Sequence, residues 1–347
     1  MNIKSAPSVD LLNNLQGCGK IGLFFANGIG DHLITLPAIR AIADRFRERT
    51  ILFANLWLAN LFFGGVTLGS IIDVTLHEDR HGRNRFSCTP LAERVSDLML
   101  FISINPWHST QVDALLARLR PSRSVGMFEQ FDICVQPCSG EHSCDRAFQV
   151  ARAIDPKWRI EDYSNPPMLP KESLLSAYRM LAGIHPGQKV LAVHNETSAH
   201  KVWRHERMAR VIELFLKGHR EFVVLALGPT NEGFGAFVGN PRVMAPAGLP
   251  LDAALALVAQ ADLFLGIDSC MLHMADMCRV PGVGLFGPGD SAPLGSHEMG
   301  FRFGPHRHVT GNGHMDGIAA ERVLAALTEL NPGIGAIPRR QTPAFAS

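Results

Sequence analysis

Three short segments of this chain group residue types that can do chemistry together. The first is Ala26-Asn27-Gly28-Ile29-Gly30-Asp31-His32. Its two glycines permit a tight backbone turn. A carboxylate delivered just past that turn, Asp31, can take a proton from a bound hydroxyl. At a helix start the same acid can serve only as a cap or first-turn charge. The second segment, His194-Asn195-Glu196-Thr197-Ser198-Ala199-His200-Lys201-Val202-Trp203, combines hydroxyls with one lysine. Hydroxyls, backbone N–H groups and the compact charge of Lys201 suit a phosphate; a solvated polar loop has the same composition. The third is Gly266-Ile267-Asp268-Ser269-Cys270-Met271-Leu272-His273, followed by Phe286-Gly287-Pro288. Asp268 and Ser269 fall where a helix begins, and unpaired N–H groups there attract a diphosphate. His273 shares a helix face with Ser269, although capping and core packing are alternative uses for Asp268 and His273. A thiol at such a helix start, Cys270, is expected to have a lowered pKa.

These residues need elements to position them. Lys20–Phe25 reads as a strand, followed by a loop and a helix from about Asp31 to Phe46. Thr50–Ala54, Ile71–Val74 and Leu98–Ser103 read as further strands alternating with helical patterns. Tyr163–Lys171 carries prolines that neither helix nor central strand accepts, so it reads as an interdomain linker and hinge. The pattern then restarts, with strands at Lys189–His194, Glu221–Leu227, Leu263–Ile267 and Gly282–Phe286. Helices are expected at His205–Lys217, Leu251–Gln260, Ser269–Cys278 and Met315–Leu330. Such alternation predicts an α/β class with two Rossmann-like, doubly wound parallel-sheet domains facing a cleft. The expected divisions are an extension over 1–18, domains over 19–165 and 172–330, and a tail over 331–347. Ligands in such sheets sit beyond the carboxyl ends of the strands. Chemistry should therefore follow Phe25, His194, Leu227, Ile267 and Phe286.

Composition narrows the field. The chain has 347 residues, 46% hydrophobic, with formal net charge +1. That excludes overall disorder and a polyanion-coating protein, so no nucleic-acid partner is expected. The 7 cysteines lack a disulfide framework and indicate a reducing, cytoplasmic compartment. Residues 1–18 lack the apolar run of a signal peptide. Leu56–Ile72 is apolar but broken by polar residues and glycines, and reads as a helix and a strand rather than a membrane span.

Other motifs fail on detail. Leu33 occupies the third glycine position of a dinucleotide fingerprint, which disfavours a dehydrogenase, and no Gly-Lys-Ser/Thr follows to make a P-loop. Cys134, Cys138, His142 and Cys144 lie close in sequence but lack the paired spacing of structural zinc. They read as buried or free thiols in a loop. His306, His308 and His314 lack a supporting carboxylate pattern and are expected to line the cleft or lie exposed. No metal site is expected.

The segments GIGDHLITLPAIRAI, HNETSAHKVWRHERM and ADLFLGIDSCMLHMADMCRVPGVGLFGPGD resemble the signature blocks of glycosyltransferase family 9, the ADP-heptose:lipopolysaccharide heptosyltransferases. The resemblance covers most of residues 20–330. It implies a GT-B fold, with the acceptor on the N-terminal domain and the nucleotide-sugar on the C-terminal one. It further implies inverting transfer with no cofactor and no required metal. By that resemblance Asp31 is the base and Lys201 the phosphate partner. Thr197, Ser198, Asp268, Ser269, Cys270, His273, Gly287 and Pro288 contact the donor. Cys270 stands where the family usually has glycine. Gly30, His32, Trp107 and His108 are expected on the acceptor side. The implied donor is ADP-heptose, and the acceptor is a glycan or a lipid-linked glycan. Work at the inner face of the cytoplasmic membrane, with peripheral contact, fits that acceptor. Two alternatives stay open: a transferase of the same fold using another nucleotide-sugar or acceptor, and a non-catalytic nucleotide-sugar binder.

Overall fold

The computed structural model describes residues 19–78, 84–87, 93–287, 295–311 and 313–331. The chain divides into two compact units, residues 1–168 and 169–347.

Unit 1 is built on β1 (Lys20–Phe24), α1 (Ile29–Phe46), β2 (Thr50–Ala54), α2 (Leu56–Phe62) and β3 (Ser70–Asp73). A small hairpin, β4 (His77–Glu78) and β5 (Asn84–Arg85), follows. The unit continues with β6 (Leu98–Ser103), α3 (Thr110–Leu119), β7 (Arg123–Gly126), β8 (Ile133–Cys134) and α4 (Ser143–Arg152). The main sheet has the order β3-β2-β1-β6-β7-β8, and its pairings are parallel. Strands covered on both faces are continuous apolar runs rather than alternating ones. The runs TILFA in β2 and LMLFIS in β6 have this character. Phe24, Phe53 and Phe101 are fully buried in the core beside β1.

Unit 2 repeats the plan. It contains α5 (Lys171–Leu181), β9 (Lys189–His194), α6 (His205–Gly218), β10 (Phe222–Ala226), β11 (Val243–Met244) and α7 (Leu251–Ala259). After these come β12 (Leu263–Ile267), α8 (Cys270–Met277), β13 (Gly282–Phe286), α9 (Ser296–Met299), β14 (His306–Thr310) and α10 (Ala320–Leu330). Its parallel sheet has the order β11-β10-β9-β12-β13-β14. In each sheet the first strand of the unit has its second strand on one side and a later strand on the other. The chain reverses its winding direction there, which is where such sheets bind ligands.

Two sequence expectations change. The proline-rich stretch is not a free linker throughout. The Arg40 guanidinium donates to the carbonyls of Tyr163, Asn165 and Pro166, and Met168 bridges to Gly64. Residues up to Met168 therefore belong to unit 1. Of the three clustered histidines, His314 is exposed as expected, whereas His306 and His308 differ. His306 and His308 lie on the edge strand β14, two residues apart and so on one face. Their rings stack at 4.6 Å, with Phe301 against His306 at 5.6 Å, and His308 Nε2 accepts from the Phe301 N–H. They pack a sheet edge.

Among the described residues no helix is long and apolar enough to cross a membrane. The Leu56–Ile72 stretch forms α2 and part of β3, as its interruptions imply.

Candidate active site

In unit 1, β1 ends at Phe24 and α1 starts at Ile29, with Gly28 as its N-cap residue. Asp31 is half-buried in the first helical turn. A methyl group on Gly28 would stand 3.0 Å from Asp31 Oδ2, so the missing side chain leaves room for that carboxylate. The Asp31 carbonyl accepts from Thr35 Oγ1 at 2.8 Å. His32 turns the other way. It is fully buried between Phe25 and Phe63, at ring distances of 4.8 and 5.7 Å. Burial pushes its pKa down to about 4, so the ring is neutral near pH 7. Nδ1 then donates to the Gly28 carbonyl at 2.8 Å. His32 supports the turn from inside instead of facing an acceptor.

The neighbouring β6 leads into Asn105-Pro106-Trp107-His108-Ser109. Asn105 is buried, and its Oδ1 accepts from the Ala26 N–H at 3.0 Å. This bond ties the loop to the turn that carries Asp31. Trp107 meets Phe24 edge-on at 6.4 Å.

In unit 2, one asparagine shapes the loop after β9. Asn195 Nδ2 donates to the Trp203 carbonyl at 2.7 Å, and Asn195 Oδ1 accepts from the Trp203 N–H at 3.0 Å. The loop between is pinched shut over the buried Trp203 ring. Thr197 and Ser198 are exposed on its crest. Lys201, in a 3₁₀ turn, places Nζ 2.6 Å from Asp268 Oδ2. Asp268 Oδ1 lies 3.7 Å from His273 Nε2. Lys201, Asp268 and His273 thus come together around one carboxylate at the carboxyl ends of β9 and β12. Ser269 is the N-cap residue of α8, yet its Oγ makes no cap bond and is buried without a hydrogen-bond partner among the described residues. This cluster couples a cation, an unspent hydroxyl and a helix start, a combination whose chemistry suits a diphosphate.

Cys270 corrects one expectation. Burial pushes its thiol up to about 11, outweighing the backbone N–H groups that favour the thiolate. Desolvation of the anion exceeds the helix-start effect here. Gly287 is needed for packing, since a Cβ would lie 2.6 Å from the Met315 backbone nitrogen. That neighbouring turn is held by Arg204, whose Nε and Nη2 bond both Asp316 carboxylate oxygens at 2.6 and 2.7 Å. Pro288 lies outside the described residues.

Sequence reading missed Glu196. Its Oε2 accepts from the backbone N–H and Oγ1 of Thr230, both at 3.0 Å, and its Oε1 from the Glu232 N–H at 3.2 Å. A methyl on Gly228 would come within 2.4 Å of Glu196 Oε1. The loops after β9 and β10 are therefore joined through one carboxylate lying over a glycine. The Gly228 position facing an acid at the end of the neighbouring strand was the available signal, but strand pairing had to be known first.

The Cys134, Cys138, His142 and Cys144 group does not assemble. His142 caps α4 by accepting from the Cys144 N–H, Cys144 is buried, and Cys138 is exposed. Among the described residues no cluster of His, Cys, Asp or Glu is arranged to hold a metal ion.

Residues 122–299 match the family model for glycosyltransferase family 9 (heptosyltransferase). The chain belongs to glycosyltransferase family 9. The matched stretch contains the Lys201–Asp268–His273 cluster, while Asp31 precedes it. Solved structures agree in fold. A family 9 glycosyl transferase from Veillonella parvula has 14% identity and TM-score 0.72, covering 90% of this chain and 97% of that one. Escherichia coli heptosyltransferase WaaC with ADP has 15% identity and TM-score 0.64, covering 89% and 99%. Escherichia coli ADP-heptose lps heptosyltransferase II has 17% identity and TM-score 0.63, covering 90% and 98%. A search of curated proteins gives no match. This family 9 member is a glycosyltransferase, and its two six-stranded parallel sheets match the GT-B fold of those structures.

Proposed function

We propose that this glycosyltransferase moves a heptose from ADP-heptose to a hydroxyl of a glycan or lipid-linked acceptor, in the assembly of a lipopolysaccharide core or related glycan. Unit 2 takes the donor, and the observation that carries this is the Lys201–Asp268–His273 cluster beside the unspent Ser269 hydroxyl. Thr197, Ser198, Cys270, Gly287 and Pro288 complete the donor side. Unit 1 takes the acceptor through Gly30, Asp31, Trp107 and His108, with His32 supporting their turn.

Asp31 removes the acceptor proton as the oxygen attacks the anomeric carbon. ADP leaves from the opposite face, so the configuration inverts. Charge grows on the leaving phosphate as the bond breaks. Lys201 and the start of α8 stabilise it, and Asp268 holds Lys201 ready before the donor arrives. This set supplies the positive charge without calling on a divalent ion. The work belongs in the cytoplasm, with peripheral contact at the inner membrane face where a lipid-linked acceptor would be met.

Two comparisons support the donor class: the family match and the fold shared with a heptosyltransferase solved with ADP. Calorimetric titration with ADP-, UDP- and GDP-sugars tests it. ADP-heptose is expected to bind tightest. Preference for a UDP- or GDP-sugar would overturn the heptosyl reading while leaving a glycosyltransferase.

A further inference from the structure

The loop after β6 concentrates an unusual number of unspent polar groups. Asn105 Nδ2, Trp107 Nε1, His108 Nδ1 and Ser109 Oγ are all buried without a hydrogen-bond partner among the described residues. A buried polar group left unpaired costs about 1–3 kcal/mol, and native proteins rarely leave them so. Here they fall within five consecutive residues. Ser109 is the N-cap residue of α3, but its side chain makes no cap bond. Asn105 Nδ2 remains unspent even though Oδ1 of the same amide is bound to Ala26.

The chemical types narrow what would pair with them. His108 Nε2 lies 2.8 Å from Asp113 Oδ1. A carboxylate only accepts, so Nε2 carries the hydrogen of that bond, and Nδ1 is the ring nitrogen left over. Asn105 Nδ2 and Trp107 Nε1 only donate, and Ser109 Oγ does both. The set donates and, through Ser109 Oγ, also accepts, and a hydroxyl is the group that can answer both. A carboxylate or phosphate brings acceptors only, and would oppose the nearby Asp113 charge. Arg85, at the same end of α3, donates to Gln111 Oε1 at 3.0 Å. Apolar walls complete the setting. Phe24 stands edge-on to Trp107, and Phe128 and Phe131 lie 5.4 and 5.7 Å from the His108 ring. Aromatic faces and mixed polar groups together suit the C–H and O–H surfaces of a sugar.

We infer that the Asn105–Ser109 loop is a subsite for a neutral, polyhydroxylated sugar of the acceptor, with Asp113 orienting His108 to bond one of its hydroxyls. The inference rests on the assignment of the acceptor to unit 1. The Asn105–Ala26 bond couples this subsite to the turn that carries Asp31. A sugar held here would have its position set relative to the base by one short stretch of backbone.

Ligand-observed NMR on the full chain tests this, with saturating ADP present to occupy the donor side. Methyl α-D-mannopyranoside serves as the neutral probe and glucuronate as the anionic one. The mannoside should bind wild type better than glucuronate. Trp107→Phe keeps the ring and loses the N–H, and Asp113→Ala removes the oxygen that accepts from His108 Nε2 at a half-exposed position that folding tolerates. Each should weaken mannoside binding about fivefold, the worth of one hydrogen bond, and leave ADP affinity unchanged. Three results would overturn the subsite: no mannoside binding to wild type, unchanged binding in both variants, or preference for glucuronate. Failure of ADP itself to bind would instead count against the donor reading above.

Discussion

Replacing Glu196 by alanine removes a carboxylate that three donors of the following loop share. Those donors are the Thr230 N–H and Oγ1 at 3.0 Å and the Glu232 N–H at 3.2 Å. Hydrogen bonds to a charged group contribute about 1.5–3 kcal/mol each. The loop is mostly exposed and Glu196 only half-buried. Water will replace much of what is lost, and the expected cost is about 2 kcal/mol rather than the full sum. Unit 2 spans residues 169–347. For a unit of that size the loss corresponds to about 4–8 °C in Tm. The loop follows β10 at the ligand-binding end of the sheet, so ADP affinity should fall as well, by about tenfold. Glu196→Gln keeps the shape and can still offer an oxygen to Thr230, but it turns an amide toward the Glu232 N–H. Its losses should be about half those of alanine in free energy. Scanning calorimetry with and without ADP gives both quantities. An alanine variant with wild-type Tm and wild-type ADP affinity would refute the argument, because it would mean that the carboxylate holds nothing.

Lys201→Ala should weaken ADP binding and reduce turnover by more, about 10²-fold, because the leaving phosphate gains charge in the transition state. Equal loss in both, measured by calorimetry and steady-state rates, would give Lys201 a binding role only. Cys270, with its thiol pushed up to about 11 by burial, should react with iodoacetamide at pH 7.5 far more slowly than free cysteine. Rapid, stoichiometric labelling of this residue by mass spectrometry would contradict that. His32 has its folded pKa lowered to about 4 against an ordinary 6.5, so the unfolded chain binds the extra proton first as pH falls. The stability it permits is complete above about pH 6.5 and is lost toward pH 4, by roughly 3 kcal/mol. The slope of Tm against pH over that window should flatten in His32→Phe, and an unaltered slope would mean the acid sensitivity lies elsewhere.

Much of the fold could be read from the order of residues, for a physical reason. Parallel strands buried on both faces need unbroken apolar runs, so Thr50–Ala54, Leu98–Ser103, Lys189–His194, Leu263–Ile267 and Gly282–Phe286 stand out with their ends intact. Edge strands such as β8 and β14 do not stand out in the sequence because one side of each carries little core, and the alternating histidines of β14 read as cleft-lining or exposed residues rather than a strand. Helix starts shift by a residue or two where backbone geometry, not side-chain type, sets the cap, as at Gly28, and the last helix begins only at Ala320 because Met315–Gly317 forms a separate 3₁₀ turn.

The candidate site was legible where one segment carries its own chemistry, as with the loop holding Lys201 and the helix start at Ser269. It was not legible where function depends on a partner far along the chain. Nothing local to Glu196 indicates that Thr230 and Glu232 will bond it. His32 has the composition of a site residue, and only the packing of Phe25 and Phe63 shows that it faces inward. For Cys270, the helix-start rule gave the wrong direction because burial was invisible.

Transfer with inversion, with Asp31 as the base, is the central proposal for this enzyme. The direct measurement uses ADP-heptose labelled with ¹³C at its anomeric carbon, incubated with enzyme and a deacylated glycan acceptor, and followed by NMR. The wild-type product should carry the opposite anomeric configuration to the donor. Asp31→Asn should bind ADP normally and form product about 10²–10⁴-fold more slowly. Retention of configuration, or an Asn variant as fast as wild type, would contradict the account.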